Sequence, residues 1–300
     1  MMHIKVPATS ANMGSGFDSI GIALKMYNHL WFEEIDEGLE IIIKKEQPIK
    51  IPTDKNNLIY KTMSDFYDKI GKKMPGVRLI QEDNIPLTRG LGSSAACIVA
   101  GLMAANHMSG CFYSKEELAQ MAAQIEGHPD NSNPAILGGM VVGALDEKKM
   151  QYVQLSMPYF LTFAVMVPDF PVPTERSRQV LPDSLSRGDA IFNSSRAALL
   201  VASMITGNLD NLKMAMEDKI HQPYRSVLIP NMDNIFKKSE EFGASAAYLS
   251  GAGPTLIAVL QDSKVNLFEE KMNEYLSTLP NNWTLTMVKP DFEGATIVNE

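Results

Sequence analysis

Residues 86–96 read Pro86-Leu87-Thr88-Arg89-Gly90-Leu91-Gly92-Ser93-Ser94-Ala95-Ala96 and run directly into an apolar stretch ending near residue 108. That stretch is apolar nearly all round, which predicts a buried helix over 93–108. Gly90 and Gly92 permit backbone geometries and close approaches that a Cβ would block. Ser93 and Ser94 bring hydroxyls to the first turn, where amide N–H groups lack partners and the helix dipole is positive. Such a turn suits an anion, phosphate above all. The same residues also describe an ordinary helix start after a flexible loop. Two better-known phosphate motifs fit poorly. A P-loop needs Gly-Lys-Ser/Thr, and no lysine stands here. Residues 90–95 satisfy the loose pattern G-x-G-x-x-A, but residues 81–86 are polar and closed by Pro86, not the apolar strand a dinucleotide fold needs in front of it.

Upstream, strands are expected at 3–7, ending in a run of small residues, and at 27–34 and 39–45, joined as a hairpin across Asp36-Glu37-Gly38. Leu58, Ile59, Met63, Phe66, Tyr67 and Ile70 put one apolar helix face over 57–70, and 77–80 reads as a short strand. Downstream, Ser114-Lys115-Glu116-Glu117 is a capping box, followed by Leu118, Met121, Ala122 and Ile125 at helical spacing. Residues 140–145 and 152–155 read as a strand pair around the Asp146-Glu147-Lys148-Lys149 turn. The second half opens on an apolar strand at 161–167 and continues through helices at 187–205, 209–216 and 231–242. It closes as strand 246–249, Gly-rich turn, strand 256–260, helix 265–276 and strand 283–288. Helices on one side of a mostly antiparallel sheet make an α+β chain. The boundary between the halves falls near 155–160, with no Gly/Ser linker, internal repeat or low-complexity tract, so the halves should pack tightly.

A length of 300 residues suits two domains, and 45% apolar with 21% charged residues suits a large core without staples. The longest apolar run, 95–105, falls far short of the roughly 20 residues a membrane helix needs. The start MMHIKVPATS has no apolar core behind a basic segment, so export is not expected. Cys97 and Cys111 fit neither a disulfide framework nor a metal spacing, and core packing is the expected role of Cys97 and the methionines. A cytoplasmic protein is expected. The net charge of −8, with no basic block, argues against nucleic-acid binding.

Two more small-residue loops change the reading of the glycine–serine segment. Residues 7–18 read PATSANMGSGFD and residues 250–254 read SGAGP. With PLTRGLGSSAA between them, the set resembles the GHMP kinases, the family of galactokinase, homoserine kinase, mevalonate kinase and phosphomevalonate kinase. The sugar-recognition segment of galactokinases is absent. Residues 6–18, Glu126-Gly127-His128-Pro129-Asp130-Asn131, Thr174 with Arg178 before Val180-Leu181-Pro182, and Pro223-Tyr224-Arg225 are similar to the homoserine kinase branch. The resemblance runs from residue 4 to near residue 260. Two departures lie beside the proposed amino-acid site: Ser15 stands where the family usually has proline, and Ser132-Asn133 where it usually has Val-Ala.

The resemblance implies a two-domain α+β GHMP kinase fold. A ribosomal-protein-S5-like domain over 1–157 would carry the ATP-phosphate loop, and a ferredoxin-like α/β sandwich over 158–300 would complete the substrate site. It implies ATP as co-substrate with its phosphates on the 86–96 segment, Asn57 near adenine, and Gly251 and Gly253 in the third motif loop. It implies Mg²⁺ on Ser94 and Glu126, a plausible pair because a hard cation takes oxygen ligands and keeps several waters. Without the motif, Glu126 reads as the charge ending the helix begun at Ser114. It assigns Asn12, Asp18, Asn131, Thr174, Arg178 and Arg225 to the amino-acid substrate, L-homoserine, with His128 beside it; Asn131, Thr174, Arg178 and Arg225 are also the expected catalytic residues.

The chemistry agrees, since guanidinium forks suit a carboxylate and Asp18 suits an ammonium. Taken singly, Asp18 also reads as a turn cap before Ile20, His128 as a structural histidine and the arginines as surface charges. The implied reaction is in-line transfer of the γ-phosphoryl group to the side-chain hydroxyl, a step that positioning and electrostatics can carry. Asn131 stands where mevalonate-kinase relatives have an aspartate base, so no dedicated base is expected; Asp130 is the competing candidate. Two rival readings are a GHMP kinase for a mevalonate-like acid, opposed by Asp18 and the arginine pair, and a catalytically silent GHMP-fold binding module, opposed by the intact Ser94, Glu126 and glycine loop. A homodimer is expected.

Overall fold

A computed structural model describes residues 1–46, 49–110, 112–146 and 149–298. The first half runs β1 (Met2–Asn12), β2 (Gly16–Ile35), β3 (Leu39–Ile43), α1 (Leu58–Lys69), β4 (Gly76–Glu82), α2 (Ser93–Ser109), α3 (Lys115–Glu126), α4 (Ser132–Leu137), β5 (Met140–Leu145) and β6 (Met150–Leu155). The second runs β7 (Leu161–Pro168), α5 (Thr174–Gln179), α6 (Arg187–Thr206), α7 (Leu212–Ala215), α8 (Gln222–Arg225), α9 (Met232–Glu241), β8 (Ala246–Leu249), β9 (Leu256–Gln261), α10 (Val265–Ser277), β10 (Trp283–Val288) and β11 (Thr296–Val298). A seven-stranded sheet orders β11-β1-β2-β4-β3, with β5 added on β2 and β6 on β5. A four-stranded antiparallel sheet orders β10-β7-β9-β8. Residues 296–298 thus return the chain to the first sheet, beside β1.

Strand β7 shows why the halves cohere. Leu161, Phe163 and Val165 belong to the core that also holds Ile4 of β1 and Val99 of α2, while Ala164 and Met166 belong to a second core with Ile235 of α9 and Phe268 of α10. Side chains alternate across a strand, so an unbroken apolar run buried on both faces serves two layers at once. The α3 capping box is present, Ser114 and Glu117 bonding reciprocally. Helix α2 buries residues on every side, as its composition requires. The 246–249, 256–260, 265–276 and 283–288 elements appear within one residue of expectation. Asp146 and Lys149 close the β5–β6 turn, while Glu147 and Lys148 lie outside the described residues.

Three expectations need correction. The expected 27–34/39–45 hairpin does not form, because β4 lies between the two strands, antiparallel to β2 and parallel to β3. A direct hairpin around 36–38 would set Glu34 opposite Glu40, a like-charge pair. Instead Arg78 of β4 binds Glu33 on one side at 2.6 Å and Glu40 on the other at 2.7 Å. The 3–7 strand does not stop at the small residues but continues to Asn12, with register shifts at Pro7/Ala8 and Ala11/Asn12. Proline in a strand tolerates such an irregularity, and the small side chains let the α2 loop approach closely, Thr9 N–H donating to the Leu91 carbonyl at 3.1 Å. The 209–216 helix is a 3₁₀ turn, Leu209–Asn211, followed by the short α7. Cys97 is partly buried against the first core, and Cys111 lies outside the described residues.

Candidate active site

A cavity of about 630 Å³ opens at the start of α2 and extends to Arg178 and Arg225. At its α2 end Gly92 is the N-cap, in the left-handed region at φ 69°, and no side chain caps the turn. A Cβ on Gly92 would fall 1.9 Å from Thr9 Oγ1, so glycine is obligatory there. The three small-residue loops interlock. Ser250 Oγ donates to the Gly90 carbonyl at 2.6 Å, Thr255 N–H to the Arg89 carbonyl at 3.2 Å, and Gly251 N–H to the Ala11 carbonyl at 3.1 Å. The Arg89 guanidinium donates to the carbonyls of Pro168 and Asp169 at 3.1 and 3.0 Å, fastening the glycine loop to the end of β7.

Glu126 ends α3 at the cavity wall, and its Oε2 is buried with no hydrogen-bond partner. Burial pushes its carboxyl up to about 7, with Asp130 adding and His128 and the Ser132 N–H opposing. A buried carboxylate oxygen left without a donor is costly, and a divalent cation is the partner such an oxygen fits, with the exposed Ser94 hydroxyl also at the wall. The donor set, one carboxylate and one hydroxyl, is oxygen only, as a hard cation requires.

At the other end the residues arrive from both halves. Close packing of the 129–131 segment on β2 depends on Gly21, whose Cβ would meet the Asp130 carbonyl at 1.7 Å. Asp130 is 2% exposed and accepts from His128 Nδ1 at 2.6 Å. A carboxylate only accepts, so the proton lies on Nδ1 and Nε2 is the free nitrogen. Burial pulls the His128 ring down, but the Asp130 bond and the charges of Asp130, Glu126 and Asp18 outweigh it, and its pKa ends above the ordinary value. Side-chain ligand atoms of Asp18, His128 and Asp130 lie within 4.8 Å of one another. Facing them, Arg178 grips Asp18 with both terminal nitrogens, at 3.0 and 3.2 Å.

Arg225 is 2% exposed and donates to the Gly251 carbonyl at 2.8 Å and the Ser177 carbonyl at 3.2 Å. Burial lowers its pKa to about 10, with Arg178 adding and Asp18, Asp218 and Asp130 opposing, so it stays cationic. Asn131 Oδ1 accepts from Thr9 Oγ1 at 2.8 Å, and the Asn12 amide bridges the Gly251 carbonyl and the Asp18 N–H.

Family models describe both halves: GHMP kinases N terminal domain over residues 57–139, and GHMP kinases C terminal over residues 197–278. A homoserine kinase of Caldicellulosiruptor saccharolyticus is 47% identical over 99% of this chain and 96% of its own, and one of Clostridium novyi 46% identical over 99% of each. The chain belongs to the homoserine kinase branch of the GHMP kinases. The crystal structure of homoserine kinase from Cytophaga hutchinsonii shares the two-domain fold, with a TM-score of 0.88 at 24% identity over 99% of this chain and 97% of that one.

Most of the residues singled out in the sequence share this cavity: Asn12, Asp18, Asn57, Leu87, Thr88, Arg89, Gly90, Gly92, Ser93, Ser94, Ala95, Glu126, His128, Asn131, Thr174, Arg178, Arg225 and Gly251. Leu91 and Ala96 are buried behind the loop, and Pro86 and Gly253 are outside the lining. Asn57 is the N-cap of α1 and 1% exposed. Its oxygen accepts from Ile59 and Tyr60 N–H, and its NH₂ donates to the Pro52 carbonyl and Gln81 Oε1. All four bonding positions are occupied, so what it offers the cavity is wall. The sequence reading missed residues 49–52 and Gln81 in that wall. Only the tertiary fold could reveal them, because a lone Ile-Lys-Ile-Pro stretch carries no motif.

Proposed function

We propose that this chain transfers the γ-phosphoryl group of ATP to the side-chain hydroxyl of L-homoserine, giving O-phospho-L-homoserine and ADP. The observation that carries the reading is that one cavity joins an uncapped helix start to a facing pair of carboxylate and guanidinium groups, Asp18 with Arg178. Relatives named homoserine kinase, 42–47% identical over nearly the whole chain, support the same reading.

The free amides of the first α2 turn receive the phosphates, where the helix dipole is positive. Ser94 and Glu126 hold Mg²⁺, which when bound neutralises phosphate charge. A zwitterion carries its own anion and cation, so its ammonium takes Asp18 and its carboxylate the guanidiniums of Arg178 and Arg225, replacing one paired arrangement by another. Thr174, at the first turn of α5, and Asn131, whose NH₂ is free to donate, border the reacting hydroxyl. The hydroxyl oxygen bonds to phosphorus as the bond to the ADP oxygen breaks, and the hydroxyl proton passes to a phosphoryl oxygen with no dedicated base. Asp130 is engaged by His128, which supports its role as an orienting anion.

Residues 1–157 are proposed as the domain of the phosphate loop and 158–300 as the domain completing the amino-acid end, in a cytoplasmic homodimer. The test is ADP release with L-homoserine, L-threonine, L-serine or mevalonate, with and without Mg²⁺. Magnesium-dependent turnover of homoserine is expected; turnover of mevalonate alone, or of nothing, overturns the reading. Asp130→Asn is expected to lose less than about 10⁴-fold in rate, the upper end for general-base catalysis, and a larger loss would restore Asp130 as the base.

A further inference from the structure

Behind the amino-acid end lies a buried cluster that none of these roles uses. His221 is wholly buried and is the N-cap residue of α8, four positions before Arg225. Its Nε2 is 2.8 Å from the Gly14 carbonyl oxygen, and its Nδ1 is 3.3 Å from an Arg225 guanidinium nitrogen. A carbonyl only accepts and a guanidinium only donates, so the ring is neutral, with its proton on Nε2. Asp218 anchors the backbone at this point, accepting from the N–H groups of Ile220, His221 and Gln222 at 2.9, 2.8 and 2.7 Å, and its Oδ2 lies 3.6 Å from His221 Nε2, on the side of the ring that carries the proton. Phe17 stacks on the imidazole with 5.1 Å between ring centres, and the guanidiniums of Arg225 and Arg178 lie 5.3 and 5.9 Å from the Phe17 ring centre.

The turn thus held is a strained one. Asn12, Met13 and Asp18 all have positive φ, at 71°, 44° and 54°. Non-glycine residues persist there only when their surroundings over-determine them. Two further bonds fasten the turn to the second half: Ser15 Oγ to the Ala215 carbonyl at 2.7 Å, and Asn193 Nδ2 to the Ser15 carbonyl at 3.0 Å. The hydroxyl of Ser15 is a donor that a proline at this position would lack.

We propose that His221 is a positioning residue for the amino-acid substrate. A single neutral imidazole ties the 12–18 turn to Arg225, so that Asp18 and the two guanidiniums keep a fixed separation. It acts through Gly14, Phe17 and Arg225, and the proposal rests on the homoserine reading of the same site.

The test compares His221→Leu with His221→Gln, because glutamine carries both an amide donor for Gly14 and an amide acceptor for Arg225. His221→Leu should raise KM for L-homoserine by about tenfold or more while KM for ATP moves less than about threefold, and His221→Gln should recover most of the loss. Equal movement of both KM values, no movement, or a glutamine variant as poor as leucine overturns the proposal. Should His221→Leu fail to fold, Phe17→Leu and His221→Gln carry the same split: homoserine KM raised in the first and close to wild type in the second, with any other pattern counting against the brace. Absence of homoserine turnover by the unmodified chain would instead sink the functional reading. In that event the side-chain ¹⁵N spectrum decides the brace alone: His221 must show the neutral Nε2–H form between about pH 6 and 8, and a charged or Nδ1–H ring overturns it.

Discussion

The two ends of the cavity are made of different material. At the α2 end the groups offered to an anion are main-chain amides, beside the Ser94 hydroxyl and the Glu126 carboxylate, with no lysine or arginine head among residues 90–95. At the far end they are side chains carrying full charge, Asp18, Arg178 and Arg225, delivered by three separate segments. A backbone-made site is damaged by adding atoms, whereas a side-chain site is damaged by removing them. The difference also decides what kind of kinetic lesion each should show.

Gly92→Ala should give the largest effect. The added carbon meets Thr9 Oγ1 at 1.9 Å and the left-handed φ strains any replacement, so the first turn must shift, and with it the amides proposed to seat the phosphates. A loss of about 10³-fold in kcat/KM is expected, in the range seen when a preorganised donor is displaced. Coupled ADP release at saturating homoserine measures it; a loss under tenfold would show that the amides are not the phosphate seat. Next in size, Arg225→Leu should raise KM for homoserine by about 30-fold, since a charge-assisted bond is lost, and leave KM for ATP nearly unchanged. An unchanged homoserine KM would erase the contrast between the ends.

The smallest effect concerns a buried polar network behind the Asn57–Gln81 wall of the cavity. Asp83 is 1% exposed and accepts from Asn28 and from Gln81, which in turn accepts from Asn57. Burial raises its carboxyl to about 6, with the Gln81 bond opposing. The folded chain therefore holds this proton more tightly than the unfolded one, so the stability it contributes is full below about pH 4 and lost as pH rises through about 6. Between about pH 5 and 8, the wild type should lose on the order of 1 to 2 kcal/mol relative to Asp83→Asn in denaturant melts. Parallel curves would mean that Asp83 is already ionised at pH 5.

The same contrast explains what could be read before the fold was known. The α2 end of the cavity was legible because a tight backbone turn needs glycines and small residues in consecutive positions, and 86–96 supplies them in one run. Arg178 and Arg225 were legible only through family resemblance; alone, each is one of 27 lysines and arginines in the chain. His221 left no such trace, since its partners are a carbonyl at position 14 and a guanidinium at 225, joined only by tertiary packing. The β2–β3 hairpin misled because a turn-like linker states where a chain bends, not which strand fills the gap. Glu33, Glu40 and Arg78 held that answer in their charges.

The uncapped start of α2 places a limit on heat-hardening this protein. The ordinary remedy for a bare helix start is an aspartate or asparagine at the cap, a substitution that gains about 1 kcal/mol elsewhere. Here the backbone at Gly92 and the neighbouring Thr9 refuse any side chain, and on the proposed reading a carboxylate would repel the triphosphate. Thermostable variants must therefore be sought away from this turn. On the proposed reading the nucleotide itself supplies the missing cap, and at 100 times its Kd it would raise stability by about 2.7 kcal/mol.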